Sequence, residues 1–329
     1  MRVICHQFIR YLGLPLVLSA AFAVVQAAGT GQVFVSSEKD NAVTVLDASK
    51  AEIASVIPLC LRPRHMQRAP DRPFLLVACS QDNRVLVWDI ANKKVIDKLD
   101  VGEAPEMFDI SPDGRMLYAS NEEDATLTAF DLQTHKKVFD VKVGGEPEGV
   151  RVSADGKTVY VTSEVASVVH VVDVATRKVV KNIPVGKRPR RLLLTGQGEL
   201  WVTNELSASV SIIRISDHSV QANLQFSLPG MRAQDITPVG MVLSPDGKTV
   251  YVGLGRANHV VAVEVGSRQV KAAALVGKRA WGLALSRNGK TLYVANGLSD
   301  DVSIIDTPSM KAVKSVKTGR VPHTVVVDD

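Results

Sequence analysis

The chain is poor in the features that announce a reaction. It has no Gly-x-Ser-x-Gly elbow for a serine nucleophile, no Gly-x-x-x-x-Gly-Lys phosphate loop and no His-Glu-x-x-His pair for zinc. No Cys-x-x-Cys-His occurs, so covalently attached c-type haem is excluded. Cysteine is limited to three residues, and aromatics make up only 5% of the 329 residues. Apart from an apolar run near the N-terminus, no segment has a convincing helical period, which argues against helical and α/β folds.

What fills the chain instead is one pattern repeated seven times. Aligning on a large apolar position gives Phe34, Leu76, Tyr118, Tyr160, Trp201, Tyr251 and Tyr293. Subtracting the residue numbers gives steps of 42, 42, 42, 41, 50 and 42. Thirteen residues further on come Asp47, Asp89, Asp131, Asp173, Arg214, Glu264 and Asp306. A period of about 40–45 residues made of short strands specifies a β-propeller, one four-stranded blade per repeat.

Each repeat reads as four strands joined by tight turns. In the fourth blade these are Glu148 to Ser153, Val159 to Thr162, Val168 to Asp173 and Lys178 to Ile183. Asp-Gly or Asn-Gly between the first two, as at Asp155-Gly156, supplies the positive φ of a hairpin turn. The first copy starts at its second strand, Gln32 to Ser36, and the last ends with an orphan first strand, His323 to Asp328. Pairing these two ends completes a seventh blade and removes two exposed sheet edges. The expected fold is therefore all-β: a seven-bladed propeller of four antiparallel strands per blade, closed by the C-terminal strand.

Residues 1–27 stand outside this repeat. Arg2 and Arg10, an apolar run from Tyr11 to Val25, and small residues at 25–27 form the pattern of a cleaved secretory signal, with a retained anchor as the rival reading. Residues 28–329 are then one propeller domain in the periplasm, expected as a monomer without membrane insertion. Removing Arg2 and Arg10 lowers the formal charge from +5 to +3, so the basic balance is no footprint for nucleic acid. Cys5 leaves with the signal. Cys60, in the loop into blade 2, and Cys79, ending that blade's second strand, either form a disulfide, as export permits, or remain two buried thiols.

Tyr293-Val-Ala-Asn296, Tyr160-Val-Thr-Ser163, Trp201-Val-Thr-Asn204 and Tyr118-Ala-Ser-Asn121 resemble the YVTN-repeat family of propellers. The likeness extends over about nine-tenths of the chain and includes Val-Gly-x-x-Pro at Val101 to Pro105 and Val185 to Pro189. Leu76-Val-Ala-Cys79 and Tyr251-Val-Gly-Leu254 depart from it in losing the polar fourth residue, and Arg214 replaces an acid. Length, blade number and export signal look most like periplasmic propellers associated with pyrroloquinoline quinone (PQQ)-dependent alcohol catabolism. That resemblance implies a binding or scaffold role beside a PQQ-dependent dehydrogenase system, with a periplasmic protein or small molecule as partner and no resident cofactor. Related seven-bladed propellers include lactone-opening enzymes, so a small-molecule hydrolase is the alternative. Val87-Trp88-Asp89 matches the ending of a WD repeat, but the other copies lack the tryptophan, and strand packing explains it.

Propellers usually bind where the innermost strands begin. The residue after each recurrent proline, or after Ala280 where the last full repeat replaces it, should ring that mouth: Arg64, Glu106, Glu148, Arg190, Val239, Trp281 and His323. Either these charges pair among themselves in a solvated rim, or they form a binding site; a hydrolase would draw on Glu106, Glu148 and His323. Asp109 and Arg151, on neighbouring inner strands, are placed to pair. The acidic loops at 121–124 and 300–301, with Glu38 and Asp40, come from separate blades and lack EF-hand spacing, which favours solvated charge over calcium. No metal site and no catalytic residue is assigned. One insertion breaks the period: eight extra residues lie between Arg214 and Pro238. The loop at about 227–237, with Arg232, is expected to overhang the mouth and shape the site with Arg190, Trp281 and Glu148.

Overall fold

The computed structural model describes residues 29–70 and 72–329. The expected signal segment lies outside the described residues. Seven four-stranded antiparallel sheets account for the 28 strands, and six of them are consecutive in sequence. The seventh is composite. Pro322–Asp328 is its inner strand and pairs with Gln32–Ser37, which is followed by Ala42–Asp47 and Glu52–Pro58. We number this blade 1 and the rest in chain order. Among the described residues no helix is long and apolar enough to cross a membrane.

Strand bounds follow the repeat closely. Blade 4 runs Pro147–Val152, Thr158–Ser163, Val168–Asp173 and Lys178–Pro184, within a residue or so of the sequence reading. The second and third strands are almost wholly buried, while the outer strands expose alternate residues. Hydrophobic clusters lie between blades: Tyr160, for instance, packs with Leu192, Leu200 and Val202 of blade 5. Sheets stacked face to face through β-branched side chains need few aromatics to fill the space.

Two polar contacts made by the repeat motif hold the blades in place, the first of them recurring in four of the seven. The hydroxyl third in the Tyr-Val-Thr-Asn pattern donates to a carbonyl of the next blade's inner strand. Ser36 reaches Arg64 O at 2.7 Å, Ser120 reaches Glu148 O at 2.6 Å, Thr162 reaches Arg190 O at 3.2 Å and Thr203 reaches Val239 O at 2.9 Å. The acceptors are the backbones of the ring residues, so the repeat itself sets their positions. The fourth residue works at the blade entrance. Asn121 Nδ2 donates to Val101 O at 3.1 Å, and a Cβ on the adjacent Gly102 would lie 2.5 Å from that nitrogen. Blade 2 has cysteines at both positions, and Cys60 and Cys79 form a disulfide there. A covalent bond thus replaces the asparagine clasp where the repeat departs from its pattern.

The acidic loops have a structural use. Asp40 accepts the Arg320 N–H at 2.7 Å, Asp124 that of Glu103 at 2.8 Å and Asp300 that of Val321 at 2.9 Å. Asp40 and Asp124 tie the loop between second and third strands to the loop entering their own blade, and Asp300 ties it to the loop entering the next. Among the described residues the only trio of possible metal ligands is Cys60, Cys79 and Asp82, and its two sulfurs are bonded to each other.

Candidate functional site: a charged chamber at the channel mouth

The seven inner strands start together at one end of the channel, where the structure gathers the ring residues. Arg64, Glu106, Glu148, Arg190, Trp281 and His323 line one cavity of about 260 Å³. Val239, the seventh, is buried but does not line it. Each of the six is less than one-tenth exposed, so they form a sunken floor and not a solvated rim. Above them stand Glu38, Arg62, Glu122, Arg188 and Arg279. These come from two further repeat positions: the residue before the recurrent proline and the residue after the Tyr-Val-Thr-Asn quartet.

The charges pair across blades, as buried ions must. Arg64 Nη2 lies 2.5 Å from Glu106 Oε2. Arg190 is a hub: its Nη1 donates to Glu148 at 3.1 Å, its Nε donates to Glu205 at 2.7 Å, and it also pairs with Glu164. Arg191, one residue deeper, pairs with Glu148 and approaches His323 Nε2 at 3.3 Å. Lower in the channel Arg151 and Asp109 are 3.5 Å apart. That lower part, about 310 Å³, has mainly apolar walls, including Met66, Phe108, Val150, Leu192 and Leu283.

The three carboxyls of this network titrate differently. Burial pushes Glu106 well above the ordinary carboxylate range, more than Arg64 can offset, and Glu148 and Glu122 push it the same way. Glu106 is therefore the carboxyl of the floor most resistant to ionisation. Burial opposes ionisation of Glu148 as well, but Arg191, Arg190 and Arg64 together outweigh it and hold the carboxyl far below its usual range. Glu164 is raised to about 7, first by burial and then by Glu148. Both channel histidines are neutral. Burial, followed by Arg191 and Arg151, lowers His65 to about 3, and burial with Arg64 and Arg191 drives His323 well below its ordinary value.

Several polar groups in the chamber meet no protein partner. Trp281 Nε1 and Arg64 Nε are buried donors without acceptors. Arg279 has no carboxylate at ion-pair distance among the described residues. Its guanidinium lies 4.3 Å from the centre of the Trp281 ring, and burial pushes its pKa down. Arg190 approaches the same ring at 5.3 Å. Unsatisfied buried donors are costly in a finished structure and point to an absent acceptor.

Arg232 stands apart from this chamber. It is exposed, donates to Asp235 at 2.6 Å, and no residue of 227–237 lines the cavity. The inserted loop does lie on the mouth face, where its turn at Ala233–Asp235 touches the turn at Glu205–Ser207. Ile236 anchors it in the core between blades 5 and 6. It flanks the mouth instead of overhanging it, because Arg232 is neutralised within its own turn. Conversely, the proline rule missed Glu164, Glu205 and Arg191. The repeat alignment could have found the first two. Four residues after the aligned aromatic come Glu38, Glu122, Glu164 and Glu205, a second acidic tier.

Two stretches of the chain match family descriptions. Residues 106–197 match the YNCE-like beta-propeller family, and residues 180–328 match "Lactonase, 7-bladed beta-propeller". The chain is a seven-bladed propeller, and these two stretches of it are similar to the YNCE-like and lactonase families. No curated protein matches the sequence. Among solved structures, Kuenenia stuttgartiensis hydrazine synthase is 24% identical, with a TM-score of 0.75 over 84% of this chain and 92% of that one. The Pseudomonas aeruginosa periplasmic gluconolactonase PpgL is 19% identical, with a TM-score of 0.76 over 91% and 99%. Dihydro-heme d1 dehydrogenase NirN aligns at 15% identity and a TM-score of 0.68 over 95% and 78%. At such identities the likeness is one of fold, and a shape shared by relatives this diverse does not choose among activities.

Proposed function

We propose that the channel mouth binds a small, oxygen-rich anion, a hydroxycarboxylate or its lactone, and that the protein is an exported binding component of an alcohol- or sugar-oxidising system. The observation that carries this reading is the set of unmet groups around Trp281. Arg279 has no carboxylate at ion-pair distance among the described residues, Trp281 Nε1 and Arg64 Nε lack acceptors, and burial raises the pKa of Glu106 beside them. A carboxylate meets the cationic donors, and ligand hydroxyls meet Glu106. The volume is small against ligand pockets of roughly 300–1,000 Å³, which restricts the ligand to a few carbons. The setting beside PQQ-dependent alcohol oxidation rests on the sequence resemblance, and it suits a site for acids, since alcohol oxidation ends in them. The Cys60–Cys79 bond suits an oxidising compartment.

Lactone hydrolysis is the second reading, favoured by the family match over 180–328. The chamber supplies poor bases for it. Glu148 is ionised but too weakly basic between Arg190 and Arg191, His323 is held well below its ordinary value, and Glu106 is engaged with Arg64. Glu164 has a suitable pKa but does not line the cavity. Binding without turnover is therefore the conclusion. Calorimetry with gluconate and pH-stat assay with glucono-lactone separate the two. Saturable gluconate binding, weakened at least tenfold by Arg279→Met, with no ring opening above the spontaneous rate, is the expected result. Catalysed opening would replace this reading with the hydrolase, and no binding of either compound would end both.

A further inference from the structure

Six repeats place an aromatic ring at one position of the second strand, where it fills the interface to the next blade. Phe34 does so between blades 1 and 2, Tyr118 between 3 and 4, and Tyr160 between 4 and 5. Trp201, Tyr251 and Tyr293 do the same for the remaining three that have one. In blade 2 the same register position, opposite Val87, holds Leu76. Tyr160 stands opposite Val171 in the equivalent pairing. Beside Leu76 a slot of about 80 Å³ opens between blades 2 and 3, walled by Phe74, Leu76, Val87, Ile96 and Leu132, with Asp97 and His135 also lining it. Leu76 and Val87 are buried and Ile96 is 42% exposed, so the slot is apolar at its floor and open to solvent at its rim.

The interface between blades 4 and 5 shows what such a slot is shaped to hold. There the Tyr160 hydroxyl lies 3.3 Å from His218 Nε2, with the rings edge to face at 5.8 Å. His218 is the fourth residue after the third strand of its blade ends at Arg214, in left-handed backbone at φ 56. His135 holds the same place, four residues after Asp131 at φ 57. Blades 2 and 3 thus keep the histidine but lack the tyrosine. His135 Nδ1 lies 2.5 Å from Asp97 Oδ2, which commits that nitrogen to the carboxylate and leaves Nε2 as the nitrogen for the role it has in His218.

We propose that the slot between blades 2 and 3 is a second binding site, for a small phenol whose ring takes the place of the missing tyrosine and whose hydroxyl bonds to His135. The volume admits about one ring, far less than an ordinary ligand pocket. Apolar walls reward the ring through restored dispersion contacts, and the histidine selects a hydroxylated ring over a bare one.

The test is a titration of the methyl-labelled full chain with phenol, and separately with benzene, followed by NMR. The expected result is saturable shifts at Leu76, Val87, Ile96 and Leu132, with none at Val239 or Val321 by the channel. Leu76→Tyr should abolish them while the fold, read by near-UV dichroism, is retained. His135→Asn, which tolerates left-handed backbone, should weaken phenol about tenfold and leave benzene unchanged. The proposal is overturned if phenol gives no saturable shift, if the shifts persist in a folded Leu76→Tyr variant, or if His135→Asn leaves phenol binding intact. Should Leu76→Tyr fail to fold, the His135→Asn comparison decides alone.

Discussion

The interfaces between blades and the wall of the channel mouth are made by the same strands, yet they treat the repeat in opposite ways. At the interfaces one position carries one kind of residue: six of seven aligned aromatics are rings, and all lie buried against the following blade. At the mouth one position carries arginine, glutamate, glutamate, arginine, valine, tryptophan and histidine in turn. Sameness marks positions that serve packing, because each interface presents the same space to fill. Variety marks positions that face a shared centre, where seven copies of one residue would repel or leave a void. In four blades a hydroxyl clasp joins the two, holding the carbonyl of a variable residue with the third residue of the repeat motif.

The comparison breaks most completely if the ring opens. Deleting residues 323–329 removes the inner strand of blade 1 and leaves Gln32–Ser37 with an unpaired edge. We expect loss of cooperative unfolding and aggregation; a truncated protein that melts like the full chain would show that closure does not depend on this strand.

Next in size is the mouth network itself. Glu148→Ala strands Arg191 in the interior, removes one of the three carboxylates around Arg190 and should cost about 3–5 kcal/mol in denaturant unfolding. Arg62→Ala, on an ion pair whose arginine side chain is 36% exposed, should cost about 1 kcal/mol or less. Equal losses would mean that the buried tier is no more specific than the rim.

Proton linkage sharpens the same contrast. Glu164 is raised from 4.5 to about 7, so between those values the folded chain holds a proton that the unfolded chain has released. Stability should fall as pH rises through that window. Glu148 acts in the opposite sense: its lowered pKa stabilises the fold above the unfolded carboxyl value, and that contribution is lost as pH falls through the folded one. Glu164→Gln should flatten the decline between about pH 4.5 and 7, leaving the part due to Glu106, which shifts the same way. An unchanged slope in chemical denaturation across that range would contradict the assignment. The smallest effect expected is that of Arg232→Ala, which should leave both melting temperature and ligand affinity as they were, since the side chain is exposed and bonded within its own turn.

Much of this was legible because a propeller repeats. The period located the blades, the phase of the two chain ends located the composite blade, and the recurrent proline located the six residues of the chamber floor. Depth was harder to read. The charges of the floor were expected at a rim, since nothing local in Arg64 or Glu148 says that its partners lie on other blades, such as Arg190 42 residues away. Arg191 escaped because strand alternation was not used to ask which second residue of an inner strand reaches the centre. Arg232 lies outside the chamber for a different reason: an insertion marks tolerance as readily as function, and a turn can satisfy its own charge. The acidic loops, read as solvated charge, proved to be acceptors for backbone N–H groups of neighbouring loops.

The central claim is that the unmet donors of the chamber await an anion. It is tested most directly by a crystal structure of the protein soaked with gluconate. The account predicts carboxylate oxygens within hydrogen-bond reach of Trp281 Nε1 and beside Arg279, with a ligand hydroxyl on Glu106. A chamber holding only waters that bridge Trp281 Nε1, Arg64 Nε and Glu106 at saturating gluconate would contradict it.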